Sequence, residues 1–578
     1  MSSFLSVNTS PPRSPHAAPA GYFDRIPLAT TGRSGVFRPT RRDVLLCLLT
    51  LSFSYLLFYS PPNSIPVPRP AASATSTSRY HLPWSSVFSS SKSCPPPAGP
   101  RHDTTFTESV KSYGFGGIDE QPAGDQRWDG GEEEAEDDEI VAGETRLLGH
   151  APGWTLFDKL YVFNGSFYVV THDKEEWPEL RMMTSTGLPA NSEPGNGEAR
   201  EPKGHEVMYI TPYEAAKLWG PRVYRMEGMS WLFNDGQFID HYYHFAAELL
   251  LGAWRSYTSL DQDITPKGET TLVSPRRIWF LHQDVDEWRD KPRFNPTVLF
   301  ALFPSISILY PSDFHDLEKS TTSFLPKAYV MDRALLADRS AAFRGPYTGP
   351  TARTVASALE VGPTSRWWWE PIRRQMLRYS GVSEQIIDRN LEGLGATDPA
   401  TIAGQIVGPG VTDLEPLSPQ GDYVPVVTYI SRQSSRRRLT PEAHADLVEA
   451  LTSRSKQLGF ELIIVEAEKM TKEEQIALAA RTTIMLGVHG NGLTHLIWMP
   501  ATPRSTVIEM FYHGGFARDY QWTAHALGIR HYAVQHDTTF TSPNLPEVAY
   551  PEGFQGTSIT VVGKIVADLV EDRLAGKQ

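Results

Sequence analysis

The chain has 578 residues, 40% apolar and 21% charged, which is ample for a core of more than one domain. Its formal net charge of −13 argues against nucleic acid as a partner, because there is no basic surplus to neutralise phosphates. The only two cysteines, Cys47 and Cys94, lie early, so the folded region beyond them has no disulfide, zinc–thiolate site or cysteine nucleophile.

Residues 1–43 hold six arginines against Asp24 and Asp43 and read as a cytosolic tail. Residues 44–60 follow as a signal anchor. Val44 to Tyr59 carries no charge and ends at Ser60-Pro61-Pro62. Its length at about 1.5 Å rise per residue is roughly 24 Å, a short membrane span. The preceding tail is too long for the n-region of a cleaved signal peptide, and no small-residue cleavage site follows. Arg33, Arg38, Arg41 and Arg42 stand just before the span and place the N-terminus in the cytosol, giving a type II, single-pass protein. So short a span suits ER or Golgi membranes. Residues 61–145, rich in Pro and Ser and ending in the acidic run Glu132 to Glu139, read as a disordered lumenal stem.

Residues 146–410 form the first globular domain. Tyr161 to Val170 is a hairpin turning at Asn164-Gly165, and Asn164-Gly165-Ser166 is also a glycosylation sequon. Asn191 to Lys203 is a surface insertion. Arg277 to Leu281 and Ala328 to Val330 are strands. Between them and the hairpin lies Asp235 to Glu248, dense in chemistry. On an α-helix His241, His244 and Glu248 fall within an arc of about 60°. Three readings stand: a general-base cluster, with Asp240 and Asp235 as further carboxylates; a metal site; and an aromatic core helix carrying a hydrogen-bonded histidine. Asp261-Gln262-Asp263 and Asp284-Val285-Asp286 have the Asp-x-Asp pattern of a metal clamp. Trp367-Trp368-Trp369 packs ahead of a helix that opens at Glu370-Pro371.

Gly and Pro cluster between Ile402 and Asp422, and residues 411–578 form the second domain. Val426 to Ile430 is a strand running into a loop with Arg432, Arg436, Arg437 and Arg438. Phe460 to Val465 is a second strand. Thr471 to Glu474 is a capping box opening a helix that reaches Arg481. Ile484 to Val488 is a third strand, broken by the turn His489-Gly490-Asn491-Gly492, with a helix starting at Leu493. Thr506 to Met510 is a fourth, and Val561 to Leu574 is an amphipathic terminal helix. This alternation indicates a parallel, Rossmann-like sheet whose ligands sit at the strand carboxyl ends. The arginine loop and the glycine turn both lie at such ends. Together they suit an anion, and a diphosphate above all.

Several of these motifs together resemble glycosyltransferase family 61. They are the strand followed by Ser431-Arg432 and the arginine cluster; Glu468-x-Met470 with Gln475; Gly487-x-His489-Gly490-x-Gly492-Leu493-Thr494; and Val507-Ile508-Glu509. The aromatic segment with His244 and Glu248 matches as well, but His241 does not. Asn491 stands where the family commonly has Ala. The resemblance covers roughly residues 230–535 and implies a GT-B fold of two Rossmann-like domains facing a cleft. It further implies a secretory-pathway enzyme that transfers a sugar of xylose or N-acetylglucosamine type from a nucleotide sugar, UDP-linked, to a glycan or glycoprotein, with inversion. The match carries over Arg432, Arg437, Gln475, Gly487, His489, Gly490, Gly492, Leu493, Thr494 and Glu509; all of these but Gln475 and Gly487, together with Arg436 and Asn491, are the expected donor-binding residues. Catalysis falls to His244 and Glu248, with His241 and Asp240 beside them. No cofactor is required, since arginines and backbone N–H groups neutralise the diphosphate. The rivals are a metal-dependent hydrolase built on His241, His244 and Glu248, and a catalytically silent glycan-binding protein of the same fold.

Overall fold

The computed structural model describes residues 143–191, 193–391, 406–407 and 423–577. The cytosolic tail, the anchor at Val44 to Tyr59, nearly all of the stem and most of the boundary at 402–422 lie outside the described residues. Among the described residues no helix is long and apolar enough to cross a membrane.

The first sheet contains β1 (Arg146–Ala151), β2 (Trp154–Phe163), β3 (Ser166–Val170), β4 (Val207–Ile210), β5 (Val223–Phe233), β6 (Arg277–Phe280), β7 (Ser307–Leu309) and β8 (Ala328–Ala337). Their order is β4-β3-β2-β8-β5-β6-β7, with β1 paired on β2. β5 runs parallel to β8 and β6, as β6 does to β7. β2 is antiparallel to β1, β3 and β8. The sheet is therefore mixed, and the expectation of a Rossmann-like first domain holds only for its parallel half. The cause is local. Asn164 and Gly165 take φ of 49° and 73°, a two-residue reversal that returns the chain antiparallel, with Phe163 opposite Ser166.

β8 runs seven residues past the expected Val330. The charged pair Asp332-Arg333 hides it in the sequence. In the fold Asp332 meets Arg225 of the neighbouring β5 at 2.6 Å, and the apolar stretch Ala334 to Ala337 resumes beyond. Residues 191–203 are largely exposed, as expected of an insertion.

Two short strands, β9 (Thr364–Ser365) and β10 (Ile406–Val407), pair antiparallel. The second large sheet then follows, with β11 (Val426–Ile430), β12 (Glu461–Val465), β13 (Ile484–Val488), β14 (Thr506–Phe511), β15 (Arg530–Gln535) and β16 (Thr538–Phe540). Its order is β12-β11-β13-β14-β15-β16, parallel throughout except for the last strand. Both faces are covered. Ile484, Leu486 and Val488 point into one cluster with the Pro441–Leu458 and Gly563–Leu574 helices, while Met485 points into another with the Lys472–Arg481 helix. Period-two alternation between two apolar faces is why β13 reads as a continuous apolar run.

The second of those clusters does not stop at the sheet. It continues through Trp498, Trp369 and Tyr242 to Trp231 and Phe233 of β5, so the two sheets share one core. Trp369 donates to the Ile497 carbonyl at 2.8 Å and stacks on Trp498, whose indole N–H donates to Tyr242 Oη at 2.8 Å. The tryptophan triplet is thus packing, as the sequence suggests. Its effect is to fix the segment after the glycine turn against the segment that carries His241 and His244.

Candidate active site

In the second sheet the strand order reverses between β11 and β13, and a crevice opens outside the carboxyl ends of strands that diverge in this way. The loops leaving these two strands are the arginine loop and the glycine turn. Arg432 crosses from one to the other. Its Nη1 donates to the His489 carbonyl at 2.7 Å and its Nε to Ser435 Oγ at 3.2 Å. Gly490 has φ 153°, and a Cβ there would lie 1.5 Å from Arg432 Nη1. The glycine thus makes room for a guanidinium.

Arg437 is held differently. Its Nη1 is buried and has no hydrogen-bond partner among the described residues. Its charge acts on His489, Tyr520 and Glu509 in its own lobe and on His241 in the other. A buried guanidinium N–H with no acceptor leaves a desolvated donor unsatisfied, the condition that an anionic ligand relieves. Arg436 is exposed and turns to Gln555 at 3.2 Å, and Arg438 donates to the Ser435 carbonyl. The cluster therefore divides, with two arginines at the crevice and two elsewhere.

After the turn, Asn491–Trp498 is a 3-10 helix, where an α-helix beginning at Leu493 is expected. Leu493 is core, and Thr494 donates to Asn491 Oδ1 at 3.2 Å, closing the turn on itself. Gly487 and Gly492 both pack against Ile430, where a Cβ would sit 3.2 and 3.0 Å from its atoms. Gln475 is bonded within its own lobe: its amide donates to the Ala467 and Met470 carbonyls and its oxygen accepts from His495 Nε2 at 2.9 Å.

Beneath the turn Glu509 is fully buried between two histidines, 2.5 Å from His489 Nδ1 and 2.8 Å from His531 Nε2. Burial, followed by the charge of Asp519, pushes Glu509 well above the usual carboxylate range. Burial lowers both His489 and His531 to about 3. A neutral acid between two neutral rings satisfies all three. His531 Nδ1 is buried without a partner among the described residues, which costs less as a bare lone pair than as an N–H. So His531 donates from Nε2 to Glu509, Glu509 donates to His489 Nδ1, and His489 keeps its proton on Nε2. The result is one neutral donor at the turn, oriented from below.

The first lobe supplies the other wall. Tyr243–Leu250 is a π-helix, a form concentrated at functional sites, so the arc expected of an α-helix does not apply. His244 Nδ1 lies 2.7 Å from Glu248 Oε2, and Arg339 Nη1 donates to the same oxygen at 3.2 Å. Arg339 also grips Asp235 at 2.8 and 3.1 Å and the Gln237 carbonyl at 2.5 Å. Burial works to raise Glu248, but His244 and Arg339 prevail and hold it below the usual range. With Glu248 ionised and accepting twice, His244 donates from Nδ1 and presents Nε2 as its basic nitrogen. His241 faces its neighbour across 5.4 Å but is not part of this network, and Asp240 is exposed.

Glu248 Oε2 thus accepts from both a guanidinium and an imidazole. Among the described residues no group of three or more His, Cys, Asp or Glu side chains is placed to hold a metal ion. The Asp-x-Asp triplets serve locally. Asp261 accepts from Asp263 N, Thr270 and Thr271, while Asp284 and Asp286 are exposed.

Residues that the sequence does not single out connect the two walls. Asp519 is buried in an ion pair with Arg353, and Tyr243 Oη donates to its backbone carbonyl at 3.0 Å. Tyr243 lies 5.1 Å from the His244 ring and 5.2 Å from Tyr520, which in turn lies 5.6 Å from His489. His244 and the glycine turn are thus two aromatic rings apart.

Residues 242–508 match the model of the family described as Glycosyltransferase 61. They belong to glycosyltransferase family 61. The match begins just before His244 and Glu248 and spans Arg339, Arg353, Arg432, Arg437 and His489, so the family 61 region contains both walls of the crevice. It ends one residue before Glu509, and the supporting Asp519, Tyr520 and His531 lie beyond it. No curated protein matches the chain.

Proposed function

We propose that this protein is an inverting, GT-B glycosyltransferase that moves a sugar of xylose or N-acetylglucosamine type from a UDP-linked donor to a glycan or glycoprotein. The observation that carries the reading is the buried Nη1 of Arg437 at the strand-order switch, which has no partner among the described residues. Arg432 and Arg437 hold the diphosphate, with His489 Nε2–H and the N–H groups of residues 490–492 beside it. His244 Nε2 takes the proton of the acceptor hydroxyl, and the freed oxygen attacks the anomeric carbon from the side opposite the diphosphate. The carbon–oxygen bond to the diphosphate breaks with its electron pair passing to the leaving group. Charge building there meets two guanidinium groups whose hold strengthens as the transition state forms. Glu248 and Arg339 keep the imidazole in the tautomer this requires.

The apolar run Val44 to Tyr59 supports a type II topology with this crevice in the ER or Golgi lumen and Asn164, exposed on its turn, open to glycosylation. A purified full chain in detergent, offered UDP-sugars with an oligosaccharide acceptor mixture, should release UDP faster with acceptor than without it, and chelator should leave the rate unchanged. UDP release that depends on added metal would favour the hydrolase. Binding of glycans with no UDP release would favour a silent lectin-like protein.

A further inference from the structure

We infer that the cavity beside the Asn164-Gly165 turn seats the first sugar of a glycan carried on Asn164, an N-acetylated hexose; this rests on the proposed lumenal placement. The cavity measures about 580 Å³, within the roughly 300–1,000 Å³ typical of small-molecule sites. Asn164 lines it and begins the sequon Asn164-Gly165-Ser166. Glycosylation joins the Asn164 amide nitrogen to the anomeric carbon of a lipid-diphosphate-linked oligosaccharide. The nitrogen loses a proton, and the diphosphate leaves with the bonding electron pair. A sugar so attached cannot diffuse away, so even weak contacts with the adjoining wall hold it.

The point of attachment is fixed beside the cavity. Asn164 is exposed at φ 49°, and its backbone N donates to Thr321 Oγ1 at 2.9 Å. Thr321 ends the helix Pro311–Thr321, whose Phe314, His315 and Glu318 form one wall. Glu318 also reaches the turn: a Cβ on Gly165 would lie 3.2 Å from its Oε1. The other walls include Tyr168, Met208 and His205.

This lining matches such a sugar in both its chemistries. Tyr168, Met208 and Phe314 offer apolar surface to the ring C–H groups and the acetyl methyl. Phe314 stays half-buried although it packs on Phe167 at 5.5 Å and Trp279 at 5.3 Å. Glu318 Oε2 lies 2.8 Å from His315 Nδ1, which orients the carboxylate with Oε1 toward the turn, placed to accept from the acetamido N–H. The seat is remote from the crevice. Val162, just before the turn, pairs with Tyr329 at the start of β8, whereas Arg339 stands beyond the far end of that strand.

The test uses the full chain purified from a eukaryotic secretory host, where mass spectrometry should find Asn164 glycosylated. On the native protein, an endoglycosidase that cuts beyond the first sugar should act freely. A peptide:N-glycanase, which cuts at Asn164 itself, should act only after denaturation, because the first sugar is seated. The form trimmed to one sugar should melt with wild type. Asn164→Asp keeps a residue suited to positive φ, and Ser166→Ala keeps Asn164 while removing the sequon; both should melt about 2 °C or more lower. Release of the whole glycan from the native protein, or equal melting of the one-sugar and sugar-free forms, overturns the seat. An unglycosylated Asn164 in wild type overturns it too, and protease protection in sealed microsomes then shows whether the lumenal placement falls with it.

Discussion

Gly490 and Arg432 share one space: a Cβ on the glycine would lie 1.5 Å from the guanidinium Nη1. A phosphate-binding turn needs glycine so that the anion can approach its backbone. In the fold it needs glycine first so that Arg432 can reach the His489 carbonyl. Gly490→Ala should therefore displace Arg432 and strain a backbone at φ 153° together, weakening UDP binding about tenfold or more. Calorimetric titration of the folded variant with UDP measures this, and unchanged affinity would remove Arg432 from the donor site.

Arg437 offers a cleaner charge deletion, since its buried Nη1 has no protein partner to lose among the described residues. Arg437→Ala removes a charge-assisted contact of roughly 1.5–3 kcal/mol, so UDP should bind about ten- to a hundredfold more weakly. Its unliganded stability should hold or rise, because an unsatisfied buried group is gone. A fall in melting temperature with intact UDP affinity would make Arg437 structural.

The neutral reading of Glu509 has a sharp consequence. A glutamine there can donate to His489 Nδ1 and accept from His531 Nε2, reproducing both bonds, whereas alanine reproduces neither. Glu509→Gln should bind UDP within about threefold of wild type and Glu509→Ala about tenfold worse, since a neutral hydrogen bond is worth about 1 kcal/mol and its loss frees the His489 ring to turn. Equal damage from both would mean that the carboxyl is ionised.

Buried histidines also set the acid limit. His489 and His531 are lowered to about 3 and His495 to about 4, each chiefly by burial. Their folded values lie below the unfolded value of about 6.5, so the unfolded chain takes up protons first as pH falls. Stability from these groups is complete above about 6.5 and is lost progressively toward 3. Glu509, raised in the fold, acts in the opposite sense with one proton against three. Melting temperature should fall steadily from pH 6.5 to 4.5; a flat profile over that range would contradict the buried neutral rings.

The second sheet was largely legible because its strands are short apolar runs closed by punctuating residues. Ile484–Val488 ends at the glycine turn, and the Thr471 capping box opens the helix before that strand where expected. The wall formed by the first lobe was half legible. His244 and Glu248 announce themselves by spacing, but α-helical periodicity also drew in His241, which the π-helical segment leaves outside the network. Arg339 escaped notice because β8 was read as ending at Val330. Its true end at Ala337 puts Asp338 and Arg339 at a strand carboxyl terminus, the position that would have marked them. Arg353, Asp519 and Tyr520 carry no local pattern at all. They enter the site only through the core shared by the two sheets, which no window along the chain can contain.

Turnover in His244→Ala bears on the base. Its loss should be about a hundredfold or more, with UDP affinity nearly intact, because the imidazole acts on the acceptor. Full turnover would return this segment to the core reading and leave the base to be sought at Asp240 or Asp235.

The most direct measurement of the central claim is UDP release by the purified full chain from a panel of UDP-sugars, with Arg437→Ala run alongside. Wild type should release UDP from at least one donor, and Arg437→Ala should need about ten times more of that donor to reach the same rate. A wild-type protein that binds no UDP and releases none, or an Arg437→Ala variant with an unchanged donor requirement, would contradict the placement of a nucleotide sugar between the arginine loop and the glycine turn.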